Sequence, residues 1–215
     1  MLKYTLVVCV LLCSSVLLYK PAFADCIRCY SITEALHSQE RVESLVLSEE
    51  KVNLEGIEQL PYLTNLFINL HGVEQFPNEI LKLTNLKALT IEGNTQLNID
   101  KIACKLRALP NLQQLELRNF NCPIIPESVL QLTQLQQLKI SNSGVKEVPA
   151  GIAKLSRLYY LNLNDIQLEF LPEEIGQLQN LNVLELQYNR FQSLPEVLEQ
   201  LQKIYFISVT GNPLT

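Results

Sequence analysis

Residues 181–195 read Leu181-Asn182-Val183-Leu184-Glu185-Leu186-Gln187-Tyr188-Asn189-Arg190-Phe191-Gln192-Ser193-Leu194-Pro195. Leucines stand at the first, fourth and sixth places of this stretch. Alternation over Leu184-Glu185-Leu186 is the period of a short strand, with two side chains turned one way and one the other. The same frame opens at Val42, Leu63, Leu86, Leu112, Leu135, Leu158, Leu181 and Ile204, at intervals of 21, 23, 26, 23, 23, 23 and 23 residues. A fixed period in this range marks a solenoid, in which no coil buries its apolar residues alone and each stacks on its neighbours.

The stretch 181–195, and Leu158-Tyr159-Tyr160-Leu161-Asn162-Leu163 with its continuation Leu171-Pro172-Glu173-Glu174-Ile175, resemble the leucine-rich-repeat family in its 23-residue form with a Leu-Pro step. The resemblance covers residues 42–215, as seven full repeats and a partial eighth. It is similar in kind to small exported bacterial leucine-rich-repeat proteins, including those of spirochaetes. It implies an α/β solenoid, a right-handed superhelix with a curved parallel sheet on the concave face and short helices or irregular turns on the convex face. Eight strands at about 4.8 Å spacing would make a face roughly 35 to 40 Å long.

Pro77, Pro126, Pro149, Pro172 and Pro195 share the fifteenth position of their repeats. Proline fixes φ and lacks an N–H, so each suits a returning segment outside a hydrogen-bonded ladder. The ninth position, where the family usually places a buried asparagine, reads Glu50, His71, Asn94, Phe120, Ser143, Ile166, Asn189 and Asn212. Phe120 and Ile166 cannot serve backbone groups, which predicts local irregularity mid-ladder, with water or a neighbouring polar residue such as Asn121 serving those groups instead. The repeat opening at Leu86 is three residues longer than the norm, and a helical turn is expected around Asn98 to Lys105.

Lys3, the apolar run from Leu6 to Leu18 and Ala22-Phe23-Ala24 read as a cleavable signal peptide over residues 1–24, since spanning a bilayer takes about 20 apolar residues. Residues 25–41 are expected to cap the first coil, with Ser31 and Thr33 able to start a short helix through Glu34, Ala35 and Leu36. Loss of Lys3 and Lys20 with the leader leaves 15 basic and 22 acidic residues. That acidic balance disfavours a phosphate-reading surface, so nucleic acid is not an expected partner. Export, to the bacterial surface, periplasm or medium, would place Cys26, Cys29, Cys104 and Cys122 where disulfides persist. A Cys26–Cys29 bridge in the cap and a Cys104–Cys122 bridge between adjacent coils are expected, against two free buried thiols for the second pair.

His37 and His71 are the two histidines and lie far apart, and no His, Cys or carboxylate cluster has metal-ligand spacing. Neither a phosphate loop nor a nucleophile motif is present. The sequence therefore predicts no enzyme, no metal and no cofactor. Side chains at the third, fifth, seventh and eighth positions should line the concave face. Aromatics gather towards its C-terminal half, where Tyr160, Tyr188 and Phe206 stand with Asn162, Asp165 and Glu185 as a polar rim, the composition of a protein-binding patch. A smaller apolar spot is expected at Phe67 and Leu70, with Glu116, Arg118 and Lys139 between the two. The functional expectation is an exported module that binds a protein, such as a host molecule, through its concave face. A structural role with self-association through the C-terminal end is the alternative, and the last residues are otherwise expected to fold over Ile204, Ile207 and Val209.

Overall fold

The computed structural model describes residues 27–38, 41–48 and 52–215. The signal-peptide reading of residues 1–24 falls outside them. Among the described residues, nine strands form one parallel sheet in chain order: β1 (Ile27–Cys29), β2 (Val42–Leu47), β3 (Asn65–Asn69), β4 (Ala88–Glu92), β5 (Gln114–Arg118), β6 (Gln137–Ser141), β7 (Tyr160–Asn162), β8 (Val183–Glu185) and β9 (Phe206–Ser208). The eight repeat strands follow the leucine frame, and β1 adds a ninth from the segment expected to cap the first coil. Beside it, α1 (Ile32–His37) starts at Ser31, whose Oγ accepts the Glu34 amide at 3.1 Å.

Register explains why the frame is so strict. Leu115, Leu138, Leu161 and Leu184 are direct neighbours across β5 to β8, and all four are buried. Slipping one strand by a residue would turn its leucines to solvent and bury its polar set. Full burial of a leucine contributes about 1.5 to 3 kcal/mol, so the driving force is spread along the coil stack rather than focused in one place.

The prolines mark where each coil turns on the convex side. Pro77, Pro149, Pro172 and Pro195 each precede a 3₁₀ turn, at Asn78–Lys82, Ala150–Lys154, Glu173–Gln177 and Glu196–Gln200, and Pro126 precedes α3 (Glu127–Leu130). The three extra residues of the third repeat become α2 (Ile99–Leu106), where Asn98 Oδ1 accepts the Lys101 amide at 2.9 Å.

The asparagine ladder is partly replaced, and the replacements differ from the sequence reading. Asn94 Nδ2 donates to the carbonyls of Leu70, His71 and Val73, and its Oδ1 accepts from Gln96 and Leu97. Asn189 and Asn212 act in the same way further along. Around Phe120 the sheet is regular, with β4, β5 and β6 pairing over five positions each; at β7, the strand of the Ile166 repeat, pairing narrows to three positions and Gln167 joins Asp165 in the left-handed region. Phe120 is buried with its ring where a Gly93 side chain would stand, so an apolar fill takes the place of the amide. Nor does Asn121 substitute, being exposed; Ile125 N donates instead to Glu147 O, and Lys146 N to Pro123 O, between returning segments.

Cys29, Cys104 and Cys122 are free thiols, which corrects the expected Cys104–Cys122 bridge. The reason is orientation. Ile99, Ile102, Ala103 and Leu106 occupy the inward face of α2, leaving Cys104 exposed, whereas Cys122 is buried in the core. Cys26, the expected partner of Cys29, lies outside the described residues. Burial raises the pKa of both Cys29 and Cys122, with the Glu34 charge adding to the first. At the other end, Val209 is buried but Ile204 and Ile207 only half so, and Tyr205, Phe206 and Leu214 are exposed, so coverage by the last residues is partial. No helix among the described residues is long and apolar enough to cross a membrane.

Candidate binding face on the concave sheet

Strand pairing turns repeat positions into columns. The fifth position runs Val46, Phe67, Thr90, Glu116, Lys139, Asn162, Glu185 and Ser208, each in register with the next. The third runs Ser44, Asn65, Ala88, Gln114, Gln137, Tyr160, Val183 and Phe206 in the same way. At about 4.8 Å per strand, Phe67 lies roughly 24 Å from Glu185. It is half-buried, and Leu70 beside it is fully buried, so the N-terminal apolar spot shrinks to one ring. The eighth position explains the loss of Leu70. In the later coils it holds Asn119, Asn142, Asp165, Tyr188 and Gly211, all with φ between 48° and 81°, a left-handed turn that Leu70 does not share.

The middle of the face is a polar depression of about 460 Å³ lined by Glu92, Glu116, Arg118, Asn119, Lys139, Ser141, Asn142, Asn162 and Asn164. Arg118 and Glu116 form an ion pair within it. Arg118 donates to Glu116 Oε1 from Nε at 2.7 Å and from Nη2 at 2.6 Å, and Thr90 Oγ1 reaches the other oxygen at 3.4 Å. Asn119 Nδ2 donates to Glu92 at 3.0 Å, and Asn142 Nδ2 donates to the Asn119 amide oxygen.

Towards β8 the floor becomes a second network, centred on Glu185. Its carboxylate accepts from the Tyr160 hydroxyl at 2.7 Å, Asn162 Nδ2 at 2.7 Å and Asn164 Nδ2 at 2.9 Å. The Lys139 ammonium stands 5.1 Å from the centroid of the Tyr160 ring. Burial pushes the Tyr160 phenol well above its usual range. The hydrogen bond with Asn162, next in size, lowers it, while the bond to Glu185 and the charges of Glu185 and Glu116 raise it further. Tyr160 is therefore a neutral, fixed donor rather than a free ring.

The three aromatics expected to share one patch are divided. Tyr160 and Phe206 share the third column with Val183 between them, about 10 Å apart across two strands. Tyr188 stands five residues further along its coil, roughly 16 Å away on the opposite rim. Glu185, Asn162 and Asn164 lie between the two rims. Sequence reasoning missed Tyr159 and Tyr205, which occupy the second position, outside the alternating strand. Tyr205 is 76% exposed, and the Tyr159 hydroxyl is paired with Gln137 Nε2, so both extend the Tyr160–Phe206 ledge. The signal available was the repeated aromatic pair, Tyr159-Tyr160 and Tyr205-Phe206, at the same two repeat positions.

No protein-family model and no curated protein matches the sequence. Solved structures do resemble it. An internalin of Listeria monocytogenes superposes with a TM-score of 0.60 at 21% identity, over 81% of this chain and 49% of that one. A leucine-rich-repeat protein of Leptospira interrogans gives 0.54 at 24% identity, over 86% and 59%. TLR13, in complex with ssRNA13, gives 0.64 at 23% identity, over 81% and 26%. The chain has the leucine-rich-repeat fold, and it spans from about a quarter to three fifths of the length of these structures.

Proposed function

We propose that this chain is an exported, non-catalytic protein-binding module whose concave face docks a protein partner, with a host molecule as one candidate. The single observation that carries the reading is the layout of the C-terminal half. An apolar ledge of Tyr160, Val183 and Phe206 and an isolated Tyr188 flank a hydrogen-bonded polar floor, the pairing of aromatic anchors with polar surroundings from which protein interfaces are built. Fold likeness to an internalin, a Leptospira repeat protein and TLR13 supports a recognition role without naming a partner. The pairing of Arg118 with Glu116 in the central depression, and an acidic balance overall, support protein rather than nucleic acid as the ligand. The signal peptide over residues 1–24 and the repeat domain over 42–215 complete the proposal.

The test is capture from host and bacterial extracts on immobilised protein lacking residues 1–24, against the triple variant Tyr160→Ala, Tyr188→Ala, Phe206→Ala. Loss of a captured protein in the variant, with an unchanged circular-dichroism spectrum, is the expected result. Equal capture by both would remove the concave face from the account. A second reading, self-association around β9, draws on the exposure of Tyr205, Phe206 and Leu214. Sedimentation showing a monomer at all concentrations would end it.

A further inference from the structure

Tyr188 is 64% exposed although its ring is well supported. A side chain on Gly211, the equivalent residue of the next coil, would come within 2.5 Å of that ring, so the ring packs close beside Gly211 while most of the side chain stays in solvent. Asp165 occupies the same position one coil earlier, with the same φ of 55° as Tyr188. The two coils are joined there by Asp165 N donating to Gln187 O at 2.9 Å, which sets the two side chains about 4.8 Å apart at their origins. The Asp165 side chain is exposed and makes no hydrogen bond or ion pair among the described residues. A largely exposed aromatic ring beside an exposed carboxylate suits a cation: the ring quadrupole attracts it while the carboxylate pairs with it from the side.

Charge over the surrounding coils acts in the same direction. Residues 158–215 carry seven acidic and two basic side chains, a net −5 of the −7 left once residues 1–24 are removed; Glu173, Glu174, Glu196 and Glu199 of that set stand in the convex turns. The nearby guanidinium of Arg190 is engaged with Gln167 at 3.1 Å and Glu169 at 3.9 Å, and so is drawn away from Asp165. A field of one sign over the C-terminal coils would steer a basic partner towards them. We infer that Tyr188 and Asp165 form a subsite for an arginine or lysine side chain on a basic segment of the protein partner. The inference rests on the protein-binding reading above and adds the partner's chemistry.

A fluorescein-labelled peptide of alternating arginine and serine tests it, with the same peptide carrying citrulline for arginine as a neutral control of equal shape. Polarisation is read on the protein lacking residues 1–24 at physiological ionic strength. The arginine peptide is expected to bind and the citrulline peptide not. Tyr188→Ala should weaken binding roughly 3- to 10-fold, Asp165→Asn roughly 2- to 5-fold, and Tyr188→Phe should restore it because the ring remains. Glu173→Gln with Glu174→Gln, two charges removed from the convex side, should matter less than Asp165→Asn alone. If the convex pair matters as much, or the citrulline peptide binds equally, the subsite is wrong. If the peptide ignores Tyr188 and Asp165 while a captured protein still depends on Tyr160 and Phe206, only this inference falls and the binding face stands.

Discussion

Asn189→Ala removes four hydrogen bonds from one buried place. Asn189 Oδ1 accepts from Ile166 N at 3.2 Å and Leu168 N at 3.0 Å, while Nδ2 donates to Leu163 O at 2.7 Å and Gln187 O at 3.3 Å. Ile166, Leu168 and Leu163 are fully buried, so bulk water does not reach the groups left behind. Each orphaned buried group costs about 1 to 3 kcal/mol, and a water entering the vacated space would recover part of it, giving an expected loss of about 2 to 5 kcal/mol. Against the usual 5 to 15 kcal/mol of a folded domain, that is a large fraction. Urea denaturation followed by circular dichroism measures the total, and native-state hydrogen exchange locates it. The amides of Ile166 and Leu168 should exchange faster in the variant, with those near Asn94 unchanged; Asn94→Ala should instead release Gln96 and Leu97. A loss below about 1 kcal/mol, or acceleration spread evenly along the chain, would refute the role assigned to the ladder.

Gly93→Ala should destabilise by about 1 to 3 kcal/mol because the new methyl overlaps the Phe120 ring, and Phe120→Leu in the same chain should relieve most of the loss in thermal melts. Tyr160 has a folded-state pKa above its unfolded value of 10.0, so its contribution is intact below pH 10 and is lost as pH rises beyond it. Melting temperature against pH should accordingly fall less steeply above pH 10 in Tyr160→Phe than in the parent; parallel curves would contradict this. Among Cys29, Cys104 and Cys122, iodoacetamide should modify Cys104 first under native conditions, as peptide mass mapping can show, since the other two are buried thiols with raised pKa.

The leucine frame made the sheet readable down to its register, because every buried first, fourth and sixth residue carries its own periodic signal. Tyr160 and Phe206 could be placed in one column for the same reason. What escaped was everything set by the turn after the strand. Leu70 and Tyr188 hold the same repeat number, yet one is buried and the other open, because the backbone at Tyr188 is left-handed and at Leu70 is not. The signal lay in the neighbours of Tyr188 and not in Tyr188 itself: Asn119, Asn142, Asp165 and Gly211 are residue types that favour the left-handed region, whereas leucine and tyrosine are not. The role of Phe120 was hidden for a different reason. Its meaning depends on the absence of a side chain at Gly93, 27 residues away, and a pairwise fit of that kind is invisible to any single-position rule. The expected Cys104–Cys122 bridge failed in the same way: adjacency of coils was correct, but the face of α2 decided the outcome.

Tyr188 and Asn189 show how the fold keeps stability and recognition apart. They are consecutive in the chain, one open to solvent and one buried among backbone amides. Because coils stack in one dimension, a change on the concave side alters a column without touching the layer beneath, whereas a change in the ladder alters two coils at once. Binding and stability should therefore separate cleanly between these neighbours. Tyr188→Ala should lower affinity for the arginine peptide with little movement in the urea midpoint, and Asn189→Ala should lower the midpoint while leaving the affinity of the still-folded fraction nearly unchanged. If both variants moved both quantities together, the turn after β8 would be one mechanical unit, and the division of labour between its inner and outer residues would not hold.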